Sequence, residues 1–287
     1  MKKNDMKLKF VVKKDEDEIK RILIDELKIS KEQIKKIKDE NILVNNKIQK
    51  MYQKVYKNDQ IIINLDYCED NSNIMPNPHI KFQILYEDDW LIIVNKPKFI
   101  PVHPTMRHYE DSLSNGIRYY YDKINLHKKI RPVNRLDKDT TGIVMFAKSE
   151  YIQSNLTKYE KEYIAIVDGI LEGKGTINKR IARKENSIIE RCVSESGQEA
   201  VTHFEVLKNY KDYTLVKCML ETGKTHQIRV HFASIGHPIL GDTLYGTKST
   251  RIDRQALHAY KITFMHPVSK EKITITAELP EDMKKLL

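Results

Sequence analysis

Hydrophobic positions along this chain follow two rhythms, and the change between them divides it. In the first seventy residues Ile19, Ile22, Leu23 and Leu27 recur at helical spacing with Glu and Lys between them, which predicts a helix with one apolar stripe. Ser30 followed three positions later by Gln33 has the pattern of a capping box opening a second helix. That helix would turn Ile34 and Ile37 inward and carry Lys31, Lys35, Lys36 and Lys38 on its outer surface. Asn41-Ile-Leu-Val-Asn-Asn-Lys-Ile48 predicts strand, turn, strand, because asparagine tolerates the positive φ of a tight turn. Gln60-Ile-Ile-Ile-Asn-Leu65 predicts a closing strand.

Residues 69–80, EDNSNIMPNPHI, are polar, aperiodic and proline-bearing, and predict a linker. They would join a small module, residues 1–68, to a larger domain, residues 81–287. Beyond the linker the rhythm shortens to strand length. Lys81–Tyr86, Trp90–Val94, Gly142–Ala147, Tyr163–Val167, Val201–Leu207, Tyr213–Leu220 and Ile273–Ala277 predict strands. Asp111 or Ser112 would cap a helix bearing Leu113, Ile117 and Tyr120. Many short strands with few helices predict an α+β domain on a mixed, mainly antiparallel sheet.

Composition narrows the partners. The 287 residues carry a net charge of +10 and are 40% hydrophobic, enough for a core beneath a basic surface. Such a surface favours polyanions, nucleic acid before an anionic membrane, although a generally lysine-rich composition gives the same balance. Lys7 and Lys9 interrupt the only N-terminal stretch resembling a signal peptide, and no run approaches the roughly 20 apolar residues that span a bilayer. The expected location is the cytoplasm. Cys68, Cys192 and Cys218 are single and widely spaced, which predicts neither a disulfide framework nor a zinc pair. His226 and His231, read as part of a strand-like run, would face opposite ways, so no metal and no other cofactor is expected.

Chemistry concentrates in Arg131-Pro-Val-Asn-Arg-Leu-Asp-Lys-Asp-Thr-Thr-Gly142, a loop at a strand's edge holding two carboxylates among basic residues. Arg135-Leu-Asp137-Lys-Asp-Thr-Thr-Gly142 resembles the R-L-D-x-x-T-[ST]-G signature of the RluA-type pseudouridine synthases. Lys161-Glu-Tyr163-Ile-Ala-Ile-Val-Asp-Gly169 is similar to their K-x-Y-x-A-x-V-x-G block. Glu221-Thr-Gly-Lys-Thr-His-Gln-Ile-Arg229-Val-His231 and the following Gly236-His-Pro-Ile-Leu-Gly-Asp-Thr-Leu-Tyr-Gly246 resemble a third block, and Arg254-Gln-Ala-Leu-His-Ala259 a fourth. The order holds over roughly residues 80–280. The first module, two helices and a hairpin with lysines on the second helix, resembles the S4-like RNA-binding domain that many members carry.

The resemblance implies an enzyme that isomerises uridine in structured RNA. It makes Asp137 the catalytic carboxylate, Tyr163 the active-site tyrosine and Arg229 the partner of Asp137, with Arg135 and Ile228 on the substrate. Breaking the N1–C1′ bond and rejoining the base through C5 moves no electrons in or out, so no cofactor is needed. One ionised carboxylate suffices to stabilise the sugar cation, capture it covalently or take a sugar proton. Asp139 reads as solvated, and His226 as bonded within a sheet. Asn134 stands where the family usually has His. Phe99 stands where it has glycine, which implies a local rearrangement. The stretch between Ala147 and Lys161 is also short.

Large-subunit ribosomal RNA is the expected substrate and transfer RNA the alternative, with the protein acting as a monomer. Two other classes compete: a non-catalytic RNA-binding protein in ribosome assembly, and a hydrolase of nucleosides or small glycosides. The hydrolase reading lacks a second carboxylate with any motif behind it.

Overall fold

A computed structural model of the chain describes residues 6–287. The first module contains β1 (Lys7–Val11), β2 (Glu16–Glu18), α1 (Ile19–Asp25), α2 (Lys31–Ile34), β3 (Ile42–Val44), β4 (Lys47–Ile48), β5 (Lys54–Tyr56) and β6 (Gln60–Asn64). Its sheet runs β1-β6-β3-β4, with β2 and β5 paired separately. The Ser30–Gln33 capping box forms, and Asn45 and Asn46 adopt φ of 49° and 66° in the hairpin turn. The second helix, however, is a single turn. Lys31 opens it, while Lys35, Lys36 and Lys38 lie on the chain beyond Ile34.

The larger domain continues with β7 (Gln83–Glu87), β8 (Leu91–Lys96), α3 (Leu113–Lys123), β9 (Arg131–Pro132), β10 (Thr141–Ala147), α4 (Glu150–Asn155), β11 (Tyr159–Asp168) and β12 (Lys174–Asn178). A hairpin, β13 (Ile181–Arg183) and β14 (Arg191–Val193), precedes β15 (Val201–Asn209), β16 (Tyr213–Leu220), α5 (Gln227–Ala233), β17 (Leu257–Met265), β18 (Lys272–Thr276) and α6 (Glu281–Lys284). The ten-stranded sheet runs β12-β15-β16-β11-β17-β10-β8-β7, with β18 on β17 and β9 on β10. All of its pairings are antiparallel except β10 with β17. This is the mixed, mainly antiparallel α+β fold that the strand pattern predicts.

Apolar matter covers both faces of the sheet's centre. Successive side chains of a strand point to opposite faces. Ile92, Val94, Val144 and Phe146 therefore enter one cluster, and Leu91, Ile93, Ile143 and Met145 the other. The second cluster is continuous with the core of the first module. Polar ties to α4 accompany it: Lys36 Nζ meets Glu150 Oε2 at 2.5 Å, and Asn155 Nδ2 donates to the Lys28 carbonyl at 3.3 Å.

The 69–80 segment, expected as a linker, lies strapped along the larger domain. Glu69 takes Arg131 in a bidentate pair, with both side chains 9% exposed. Asn71 bonds the Lys128 carbonyl and accepts from Ile130 N at 3.1 Å. Asn77 bonds the Asn115 and Glu110 carbonyls at 3.1 and 2.8 Å. Among the described residues no helix is long and apolar enough to cross a membrane.

Candidate active site

Asp137 lies on the loop before β10, and buried groups hold that loop from below. Asn134, the expected departure, donates through Nδ2 to the Ile143 carbonyl at 3.1 Å and accepts from Met145 N at 2.8 Å. It thus fastens the loop's start to β10. Lys96, fully buried, donates from Nζ to the carbonyls of Lys138, Ile100 and Pro97 at 2.8–2.9 Å. Burial pushes its amine down to about 7, with Asp139 pulling the other way. Arg254 Nη1 donates to the Asp139 carbonyl at 3.2 Å while Asp282 holds the rest of its guanidinium. Gln255 Nε2 reaches Thr140 Oγ1 at 3.1 Å. Asp139, expected to be solvated, is half-buried.

The loop ends at the seam of the sheet. Gly142 has φ +112°, and a Cβ there would stand 2.3 Å from the Ala259 carbonyl oxygen. Only glycine lets β10 close on β17 at this point. Thr141 Oγ1 and His258 Nδ1 meet at 2.8 Å across the same seam.

The segment carrying Arg229 is a helix, not the strand its alternating Ile228, Val230 and Phe232 imply. Residues 227–232 are all buried, so α5 shows no polar face to the sequence and no amphipathic period. Its polar members are satisfied inside. Gln227 Oε1 accepts from Lys224 N at 2.9 Å, and His231 meets Thr202 Oγ1 and the Lys179 carbonyl, both at 2.9 Å. On a helix, neighbours sit about 100° apart and not 180°, so Ile228 and Arg229 both line the cavity at Asp137.

Arg229 also bonds differently from expectation. Its two-pronged contact goes to Asp242, with Nε to Oδ2 at 2.6 Å and Nη2 to Oδ1 at 2.8 Å. Asp137 Oδ2 receives the remaining Nη1 donor at 3.1 Å. Burial works against the guanidinium's charge, but Asp242 and then Asp137 outweigh it and hold the group protonated. Asp242 is fully buried and accepts further bonds from Leu244 N and Tyr245 N. Asp242 and Tyr245 stand in the quoted Gly236–Gly246 block, where position alone assigned them no task.

Tyr163, on β11, lines the same shallow cavity of about 70 Å³, together with Arg135, Leu136, Thr140, Lys224 and His226. Burial, followed by the charge of Asp137, pushes its phenol well above the ordinary value, so it stays protonated at neutral pH. Arg135 is solvent-exposed at the rim. His226, expected within a sheet, faces Asp137 with Nε2 3.7 Å from Oδ1. The structure therefore gathers Asp137, Tyr163, Arg229, Arg135 and Ile228 at one cavity. Lys31, Lys35, Lys36 and Lys38 belong to the first module and do not line it. A separate cleft of about 1190 Å³ opens beside α6 and the Lys248–Asp253 loop, away from Asp137.

The arrangement can hold an ionised carboxylate against a developing cation, with an aromatic ring and a neutral hydroxyl beside it. Phe99 keeps φ +65°, the conformation glycine favours, with Lys98 Nζ 4.9 Å from its ring centroid.

Comparison with known proteins gives a family for the chain. The family described as RNA pseudouridylate synthase matches residues 90–234. The Bacillus subtilis protein named uncharacterized RNA pseudouridine synthase YhcT is 42% identical over 267 residues, spanning 90% of this chain and 85% of its own. Ribosomal large subunit pseudouridine synthase D of Escherichia coli is 35% identical over 272 residues, 88% of this chain and 83% of that protein. The solved structure of human RNA pseudouridylate synthase domain containing 1 covers 71% of this chain and 86% of its own, with a TM-score of 0.59 at 24% identity; that likeness concerns the fold.

Proposed function

Since this chain belongs to the RNA pseudouridylate synthase family and is an RNA uridine isomerase, we propose that Asp137 is its catalytic carboxylate and large-subunit ribosomal RNA its substrate. The contact between Arg229 Nη1 and Asp137 Oδ2 carries the first part. It joins a loop to a helix far apart in sequence at a cavity that Tyr163 also lines, and it orients a carboxylate where a flipped nucleotide would enter. Asp137 faces C1′ as the base departs, and Tyr163 offers its ring to the detached uracil and its hydroxyl to the proton-transfer stage. Arg135, at the exposed rim, contacts backbone phosphate or fills the space the base vacates.

Asp137→Asn should reduce pseudouridine formation to background in single turnover with enzyme in excess, measured by chemical labelling and mass spectrometry, while RNA binding persists. Asp139→Asn, run in parallel, should stay active, because the loop is fastened through the Asp139 carbonyl and not its carboxylate. Turnover by Asp137→Asn near the wild-type rate would overturn the assignment.

The names of the Escherichia coli and Haemophilus influenzae relatives, both ribosomal large subunit pseudouridine synthase D, support the ribosomal target. Mapping pseudouridines in total RNA with and without the gene tests it, and a lost site in transfer RNA would redirect it. We also read the first module as an S4-like RNA-binding domain of a monomeric cytoplasmic enzyme. Lys31, Lys35 and Lys38 are its exposed candidates for phosphate, Lys36 being tied to Glu150. Replacing those three by Gln should flatten the dependence of affinity on salt, since each lost phosphate contact lowers the slope by roughly 0.7–0.9. An unchanged slope would remove the lysines from the interface.

A further inference from the structure

We propose that His226 is a positioning residue for Asp137: a neutral imidazole whose Nε2–H is aimed at the carboxylate oxygen that Arg229 leaves open. The inference rests on Asp137 being the catalytic carboxylate.

Three observations carry it. First, His226 has φ 58° and ψ 19° at the start of α5. Side-chain-bearing residues adopt this left-handed conformation at a cost, and such strain gathers at functional sites where the surroundings over-determine it. Here the His226 carbonyl accepts from Val230 N at 2.9 Å, and the ring packs edge-on against Tyr245 with centroids 5.6 Å apart.

Second, the hydrogen bonds assign the proton. Arg191 N donates to the Tyr245 hydroxyl at 2.8 Å, so that oxygen is an acceptor there. Among the described residues the hydroxyl's hydrogen has one acceptor in hydrogen-bond range, His226 Nδ1 at 2.7 Å, and donating to it selects the tautomer with Nδ1 as acceptor. A neutral ring accepting at Nδ1 carries its hydrogen on Nε2.

Third, Nε2 lies 3.7 Å from Asp137 Oδ1, while Arg229 Nη1 holds Oδ2 at 3.1 Å. The first distance exceeds a hydrogen bond, and catalytic contacts of this kind tighten when substrate fills the site. Closing it would give each oxygen of Asp137 its own N–H donor and fix the plane of the carboxylate.

The groups facing the ring are Asp137 and Asp242 on one side of the charge balance and Arg229 and Arg191 on the other. Burial acts first, and the net effect holds His226 below its ordinary value of 6.5, neutral at pH 7 and above. Acidification adds a proton at Nδ1, so the Tyr245 hydroxyl must turn its own hydrogen away and accept, and the imidazolium then neutralises the carboxylate it otherwise only orients. Activity should therefore decline on the acid side as His226 charges.

The test uses the full-length enzyme in excess over total RNA purified from cells lacking the gene, with pseudouridine yield followed from pH 5.5 to 8.5 and RNA affinity measured by filter binding. His226→Ala should slow the single-turnover rate about 10-fold to 100-fold, the scale of a misplaced reacting group, and leave RNA affinity unchanged. His226→Gln, which offers an N–H that does not titrate, should recover most of the rate at pH 7.5 and flatten the acid decline. Tyr245→Phe should fall between them. A wild-type rate in His226→Ala overturns the proposal. So does a His226→Gln enzyme that keeps the wild-type acid decline, a result readable even if the alanine variant does not fold. Asp137→Asn separates the two claims: activity there would remove the catalytic reading itself, whereas an inactive Asp137→Asn beside an unaffected His226→Ala would sink this inference alone.

Discussion

Arg229 connects two carboxylates, and its geometry changes what a conservative replacement should do. Because the fork belongs to Asp242 and one donor remains for Asp137, a lysine can serve one carboxylate and abandons the other. Arg229→Lys should therefore lose roughly 10²-fold in single-turnover rate and also about 3 kcal/mol of stability, since Asp242 is left buried and unpaired. Asp242→Asn should slow the reaction nearly as much without lining the cavity. A near-normal rate in either, beside an intact urea midpoint, would detach Asp242 from the orientation of Asp137. At Phe99 the expectation runs the other way. A left-handed phenylalanine costs about 1–2 kcal/mol, and glycine loses about 0.5–1 kcal/mol through its freer unfolded chain. Phe99→Gly should leave stability unchanged or raise it by up to about 1.5 kcal/mol; a clear fall in urea unfolding would mean the ring's packing against Lys98 matters more than the strain.

Elements were legible in the sequence where one face meets water, or where a short apolar run bounded by turn residues forms a strand buried on both faces, as in β8 and β10; the buried helix was not. Alternation found β15 and β16, and the helical stripe found α1, because burial in those elements is one-sided. Helix α5 is buried all round and rich in β-branched residues, so its letters imitate a strand while the surrounding polar bonds select a helix. Strand β17 was missed because His258 and Lys261 interrupt its apolar run, although His258 is buried against Thr141 and the Ala277 carbonyl. The motifs pointed to Asp137, Tyr163 and Arg229, which the structure brings to one cavity, but which oxygen meets which nitrogen depends on contacts far apart in the chain. The 69–80 strap is similar: polar and proline-bearing by composition, it is held by a buried pair. Burial opposes the charge of Glu69, yet Arg131 keeps its carboxyl below the usual 4.5. The stabilisation from that pair is thus present above pH 4.5 and lost as pH falls through the lower native value. Glu69→Gln should destabilise the protein by about 3 kcal/mol at pH 7, and the gap to wild type should narrow below pH 4.5 in thermal scans. A gap that does not depend on pH would mean the strap's backbone bonds, not the ion pair, secure it.

At the scale of the whole molecule, the first module is less separable than its composition suggests. Its core is continuous with one face of the large sheet, and Lys36 and Lys28 tie it to α4. Removing residues 1–68 should therefore lower the melting temperature of the remainder by about 5 °C, the scale of one or two kcal/mol for a domain this size. The linker expected at residues 69–80 pointed instead to a module joined to the larger domain only through a flexible segment. An unchanged melting temperature would restore that picture.

The place of β17 in the sheet also fixes when the enzyme can come into being. Strands β7, β8 and β10, the last of which follows the loop of Asp137, lie on one side of it; β11, β16, β15 and β12, with Tyr163, lie on the other. Among the described residues no other strand bridges them, and β17 is Leu257–Met265, later in the chain than every strand it joins except β18. As the polypeptide leaves the ribosome, each side can pair within itself, but both keep an open edge. Thr141 waits for His258 and Gly142 for Ala259. On this topology the two half-sites should form separately, and during synthesis the carboxylate and the tyrosine should stay unjoined through the sheet until Leu257–Met265 has been translated.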